Sequence, residues 1–253
     1  MNKWEGDIFM ANESHRKKAV LLEGARKSGK TTFASTAPKP FFLDCDGGTE
    51  SIADKTIPCI NIPVRMGEEE KKKYGTPYRK IIAYLLWAKD NSGPFAPDGE
   101  LADRETIVID SMSHYCDMEW IRLHEVMGVD LVALGKVSKF DPCWQQLKNG
   151  LIYINSIIKA IKEEGHMDVI TTAHLQITER ENKPTKGEAS ILGGFRDKID
   201  SYYDDILYTQ KLGSKYLIHT QGLNHDGIFF DGNTRTQGLE KTLQDPTWDK
   251  LYK

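Results

Sequence analysis

The residues that can do chemistry begin with Gly24-Ala25-Arg26-Lys27-Ser28-Gly29-Lys30-Thr31, which spells G-x-x-x-x-G-K-T. Phosphate is the group this spacing suits. Gly24 and Gly29 let the backbone turn tightly and approach an anion with no Cβ in the way. The loop amides then point inward as a nest, and the N-terminus of the helix that follows adds partial positive charge. Lys30 is expected to reach the β- and γ-phosphates of a nucleoside triphosphate, and the Thr31 hydroxyl to ligate Mg²⁺. Thr32 closes the nucleotide-binding run. Arg26 and Lys27 put two more cations in the loop, directed either at phosphate or at solvent.

Three more side chains could complete such a site. Asp110 ends the aliphatic run Thr106-Ile107-Val108-Ile109, 80 residues after Lys30, and would hold Mg²⁺ through its water shell. Asp46 follows Phe41-Phe42-Leu43 at the end of a second apolar run and could hold an attacking water in line with the γ-phosphate. Its alternative role is that of a turn or N-cap aspartate. His174 closes Met167-Asp168-Val169-Ile170-Thr171-Thr172-Ala173 and is placed to sense the γ-phosphate, where a satisfied polar strand end is the alternative.

The elements that must position these residues are legible around them. Ala19-Val20-Leu21-Leu22 reads as a buried strand ahead of the loop, and 32–36 continues as a helix. Ala37-Pro38-Lys39-Pro40 stops that helix. The runs at 41–43, 106–110 and 167–174 are buried strands with polar ends, the arrangement of a parallel α/β sheet whose chemistry lies at the C-terminal strand ends. Leu147, Leu151, Ile154, Ile157, Ile158 and Ile161 form a helical core stripe. The polar stretch 175–192 reads as a long loop, and the runs at 205–208, 216–219 and 228–230 as antiparallel strands extending the sheet.

With these pieces placed, the sequence resembles the RecA-like P-loop ATPases, and within them the compact phage-encoded RecA-core proteins of single-strand annealing and recombination. The resemblance spans roughly residues 18–240. It rests on the loop at 24–31, on Asp44-Cys45-Asp46-Gly47-Gly48 after the second strand, on Ile109-Asp110-Ser111, and on the strand ending at His174 followed by a long loop and Gly193-Gly194. It implies a central, mostly parallel sheet flanked by helices with antiparallel strands at the C-terminal edge. It also implies Mg²⁺-dependent ATP hydrolysis, with Lys30, Asp46, Asp110 and His174 as catalytic residues. Arg235 (less surely Lys198) would be a basic residue reaching the nucleotide site of a neighbouring subunit. By the same resemblance residues 176–192 contact single-stranded DNA, with Arg180, Lys183 and Lys186 as the cations. The implied partners are further copies of this chain in a ring or filament, single-stranded DNA and a single-strand binding protein.

The domain reading is an N-terminal arm at 1–17, an ATPase core at 18–240 and a C-terminal tail at 241–253. Composition sets outer limits. Of 253 residues, 39% are hydrophobic and 28% charged, as in a soluble globular protein, and the net charge of −3 confines any nucleic-acid contact to a local patch. No apolar run approaches a membrane span and no signal peptide is evident, so a cytoplasmic place is expected. Four scattered cysteines lack C-x-x-C spacing, which favours buried thiols over zinc. Other functions fit less well. A small-molecule kinase would want an Arg-rich lid, whereas 176–192 holds only Arg180. A GTPase would want N-K-x-D, whereas 182–185 reads Asn-Lys-Pro-Thr. An ATP-dependent loader, or a module that binds ATP without hydrolysing it, remains as the alternative, the latter because Asp46 is one methylene shorter than the glutamate of the resembled family.

Overall fold

A computed structural model describes residues 17–90, 101–128, 142–164, 167–180, 183–191, 195, 198–225, 227–230 and 232–252. Of the arm expected at 1–17, residues 1–16 lie outside these residues, as does the Gly193-Gly194 pair.

Strands β1 (Ala19–Gly24), β2 (Pro40–Asp44), β4 (Thr106–Asp110) and the first half of β5 (Asp168–Arg180) are buried on both faces, and alternate residues enter two separate cores. Leu21, Leu43, Ile107, Ile109 and Val169 face one core, and Val20, Leu22, Phe42, Val108 and Ile170 face the other. A period of two thus becomes a sheet between two layers, which is why these runs are continuous rather than alternating in hydrophobicity.

The first core is covered by α3 (Pro77–Asp90), α4 (Met112–Met127) and α5 (Pro142–Glu164). Leu147, Leu151, Ile154, Ile158 and Ile161 present one helical stripe to it. Ser111 caps α4, its hydroxyl accepting from the His114 amide at 3.3 Å, and Gly128 ends it at φ 67°. A short α2 (Glu68–Tyr74) is tied to β3 (Cys59–Asn61) by buried Lys80 of α3, which pairs with Glu70 of α2 and donates to the Asn61 carbonyl at 2.7 Å.

The second core lies under α1 (Lys30–Ala34) and the chain terminus. Here residues set apart as a tail in the sequence reading join the molecule. Strand β12 (Thr242–Gln244) pairs with β8 (Lys215–His219), and α6 (Trp248–Leu251) buries Trp248 and Leu251 beside Phe33. Five residues of α1 are too few to cover a sheet face, so the terminus supplies the remaining apolar surface.

The main sheet runs β12-β8-β7-β1-β5-β4-β2-β3, with β7 being Asp205–Leu212. The six strands from β7 to β3 are parallel; β8, β12 and the two-residue β11 (Asn233–Thr234) pair antiparallel at the C-terminal edge. This is the expected architecture, except that β7 pairs parallel to β1 instead of antiparallel. A second correction concerns residues 175–192. Instead of a long loop, β5 runs on to Arg180 and returns antiparallel as β6 (Lys183–Ala189). Strand β10 (Ile228–Phe230) pairs with β6, and β9 (Leu223–His225) with β10, making a small satellite sheet. The stretch is polar because one face is open to solvent. Its order comes from the pairing of β5 with β6 within the stretch and of β6 with the distant β10, which local composition does not report.

Candidate nucleotide site

Strand order decides the geometry. Strand β5 lies between β1 and β4, with Gly24 level with His174 and Asp44 level with Asp110. Four strand ends therefore meet at one rim: the loop after β1, Asp46 after β2, Asp110 on β4 and His174 on β5.

The loop is shaped by its neighbours as much as by any ligand. A Cβ at Gly24 would lie 2.0 Å from Thr209 Oγ1 and 2.4 Å from Ser28 Oγ. Those hydroxyls bond each other at 2.6 Å, and Thr209 also donates to the Glu23 carbonyl at 3.1 Å. Gly29 adopts φ 95° as the N-cap of α1, and a Cβ there would meet the Tyr216 ring at 2.8 Å. Lys27 holds φ 62°. The side chain of Lys30 is buried, with Nζ donating to the Gly24 carbonyl at 2.9 Å and the Ala25 carbonyl at 2.8 Å. Burial brings its pKa down to about 8, against the opposing pull of Asp110 and Asp46. An ammonium held on two carbonyls inside a desolvated loop gains charge compensation when phosphate oxygens replace them.

Asp110 is almost wholly buried. Its Oδ2 accepts from the Thr31 hydroxyl at 2.7 Å and its Oδ1 from the Thr172 hydroxyl. Burial raises its pKa, and the two hydroxyls and Asp46 act as smaller influences. Asp46 points at the same space. Its Oδ1 accepts from the Gly48 amide at 2.9 Å, and its Oδ2 lies 3.3 Å from both the Ser111 hydroxyl and His174 Nε2. The His174 contact, ahead of the Gly48 amide, holds the Asp46 carboxyl below its ordinary range. The backbone amide of His174 donates to Ser113 Oγ at 2.9 Å, while its buried Nδ1 meets no hydrogen-bond partner among the described residues.

These residues fit a magnesium–triphosphate group. A Cβ at Gly48 would sit 2.8 Å from Asp46 Oδ1, 3.4 Å from Asp110 Oδ2 and 3.5 Å from Thr31 Oγ1, so the glycine keeps the space between these oxygens clear. Thr31 and Asp110 would hold Mg²⁺, a cation that suits few protein oxygens and keeps waters and phosphates as its other ligands. No group of three or more His, Cys, Asp or Glu placed for a metal occurs among the described residues. Exposed Thr32 lies in the first turn of α1.

Arg26 and Lys27 are exposed and turn to the other flank of the loop. With Tyr208, Gln210 and Lys211 of β7 they line a cavity of about 400 Å³. Arg235 is not part of the rim. It is exposed, and its amide donates to the Asp204 carbonyl and to Asp205 at the start of β7, level with Val20 rather than with the loop. Lys198 is exposed as well. Lys186 lies on β6, half-buried; the side chains of Arg180 and Lys183 lie outside the described residues.

A family model described as an AAA domain matches residues 16–229. The chain belongs to this AAA domain family. The match covers every residue of the rim from Gly24 to His174. No curated protein matches by sequence. Among solved structures, one described as a crystal structure of the RadB recombinase is similar at 12% identity and TM-score 0.41, over 90% of this chain and 86% of that one. No described helix of this AAA domain is long and apolar enough to cross a membrane.

Sequence reasoning named Lys30, Thr31, Asp46, Asp110 and His174, and these five converge. It gave no role to Asp44, Ser111, Ser113 or Thr209. Ser111, Ser113 and Thr209 support the AAA domain's rim through contacts between elements that no local spacing marks, whereas Asp44 bonds within its own turn, to the Asp46 and Gly47 amides.

Proposed function

We propose that the protein is a RecA-like, Mg²⁺-dependent ATPase that works as an oligomer on single-stranded DNA, in annealing or as a recombination mediator of the phage type. The observation that carries this reading is the convergence of Lys30, Thr31, Asp110 and Asp46 on one cleared space at the sheet's C-terminal rim. Lys30 and the loop amides would bind the triphosphate. Thr31 and Asp110 would hold the magnesium ion, which neutralises phosphate charge when bound. Asp46 accepts a hydrogen bond from a water and orients it toward the terminal phosphate. His174, bonded to Asp46 and lying on the strand that continues into the β5–β6 hairpin, would report the state of the site to that hairpin.

The DNA part of the reading rests on the hairpin cations Arg180, Lys183 and Lys186. Arg235 is exposed and its backbone lies at the start of β7, far from its own loop, a place compatible with service in a neighbouring subunit's site. A host cytoplasm is the matching location.

The test is ATP turnover by the purified chain with and without single-stranded DNA, with its mass measured in parallel. Turnover stimulated by DNA together with a nucleotide-dependent rise in mass supports the reading. A monomer that binds ATP and shows neither turnover nor DNA binding instead fits a non-catalytic ATP-binding module.

A further inference from the structure

The acid Asp46 has a short side chain, so its backbone must be brought close to the space it serves. A single carboxylate does this. Asp44 ends β2, is 8% exposed, and points back into the turn that follows it. Its Oδ1 accepts from the Gly47 amide at 2.8 Å and the Asp46 amide at 3.2 Å, and its Oδ2 accepts from the Thr49 hydroxyl. Three donors on successive parts of one turn fix its path. Gly47 completes that path at φ 77°, and the 3₁₀ turn Gly48–Ser51 follows. The main chain at Gly48 then passes so near the rim that a methyl group there would touch Asp46 Oδ1.

The turn has further ties: the Cys45 amide donates to the Asp110 carbonyl at 2.6 Å, Ser51 Oγ donates to the Gly48 carbonyl at 2.8 Å, and Asp46 reaches Ser111 and His174. Asp44 is the side chain that gathers the amides of Asp46 and Gly47 together with the Thr49 hydroxyl. The carboxylate of Asp44 is spent on the turn, whereas the Lys30, Thr31 and Asp110 contacts are made without it.

We propose that Asp44 is the positioning residue of this site: it sets the turn that carries Asp46 to the water beside the terminal phosphate, and it does not bind nucleotide. The inference rests on the hydrolytic reading above. It separates two quantities that a general loss of structure would move together. Binding depends on the loop, and turnover depends on the turn.

The experiment measures kcat, ATP affinity by calorimetry with Mg²⁺, and melting temperature on the full chain. The variants are Asp44→Ala, Asp44→Asn, Thr49→Val and Asp46→Ala. Asp44→Ala lowers kcat by about ten- to a hundredfold while the Kd for ATP stays within about twofold. Asp44→Asn keeps an oxygen for the two amides and recovers most of the turnover. Thr49→Val removes one donor and gives an intermediate loss. The inference is overturned if Asp44→Ala turns over like wild type while Asp46→Ala is inactive, or if ATP affinity and kcat fall in parallel in Asp44→Asn and Thr49→Val. A wild type that binds ATP without turning it over overturns the hydrolytic reading and this inference with it.

Discussion

The two ends of the same sheet each carry a cluster of acids and lysines, and they are built to opposite ends. At the N-terminal rim every carboxylate is closed off by the chain. Asp204 meets Lys162 at 2.5 Å and the Ala19 amide at 3.0 Å; Asp168 accepts from the Lys18 amide at 2.7 Å and faces Lys17 at 3.5 Å. Asp205 takes four donors, the amides of Arg235 and Thr236 and the hydroxyls of Thr236 and Tyr252. At the C-terminal rim Lys30 is desolvated and held on carbonyls with no carboxylate in contact, and His174 keeps a buried nitrogen unpartnered among the described residues. The first cluster ties down β1, β5, β7 and the chain terminus. The second leaves charge that a ligand can complete. Composition does not separate the two; completeness of hydrogen bonding does.

The largest expected effect tests the open end. Lys30→Ala and Asp110→Ala should each cut ATP turnover by about 10²–10³-fold, with little loss of folding, because each removes a buried charge. Equal losses of stability in both would erase the contrast between the rims.

Next, Asp205→Ala should destabilise the fold by roughly 3 kcal/mol, since four donors lose their acceptor. Urea melts give the value, and ATP affinity should be unchanged in the folded fraction. A nucleotide defect larger than the stability defect would show that the closed end also serves the site.

The pH dependence of Lys30 sharpens the same point. Its folded pKa, about 8, lies below the ordinary 10.5, so the unfolded chain binds more protons between these values. This group alone makes stability rise with pH across that window. Lys30→Met should therefore be the more stable protein below pH 8, by up to about 3 kcal/mol, with the gap closing toward pH 10.5. A gap independent of pH would mean the lysine is not desolvated.

The smallest effect belongs to the Asp46–His174 contact. Asp46 is depressed, so its contribution is present above the ordinary carboxylate range and is lost as pH falls through its lowered value. His174→Ala should remove part of that acid limb, under about 1 kcal/mol for a contact reached by solvent. Acid titration of both proteins by chemical denaturation measures it.

Much of the site could be read from local spacing. The loop at 24–31 and the acid at 110 sit on strands whose unbroken aliphatic runs mark them as buried on both faces. Residues 175–192 could not be read in this way, because their strand conformation rests on backbone pairing, of Lys186 with Thr178 across the hairpin and with Phe229 of β10, and not on an apolar pattern. Trp248 likewise looks like part of a tail until Phe33 and Leu22 are seen beneath it.

The sequence by itself placed a G-x-x-x-x-G-K-T loop, an acid closing an aliphatic run and a set of buried strands, because each depends on residues within a few positions of one another. Only the tertiary structure decided which side chains are finished and which are open. That β5 lies between β1 and β4 and that Arg235 sits at the far end of β7 follow from strand order and register. Those are set by packing two cores against one sheet, a balance summed over the whole chain that no local window contains.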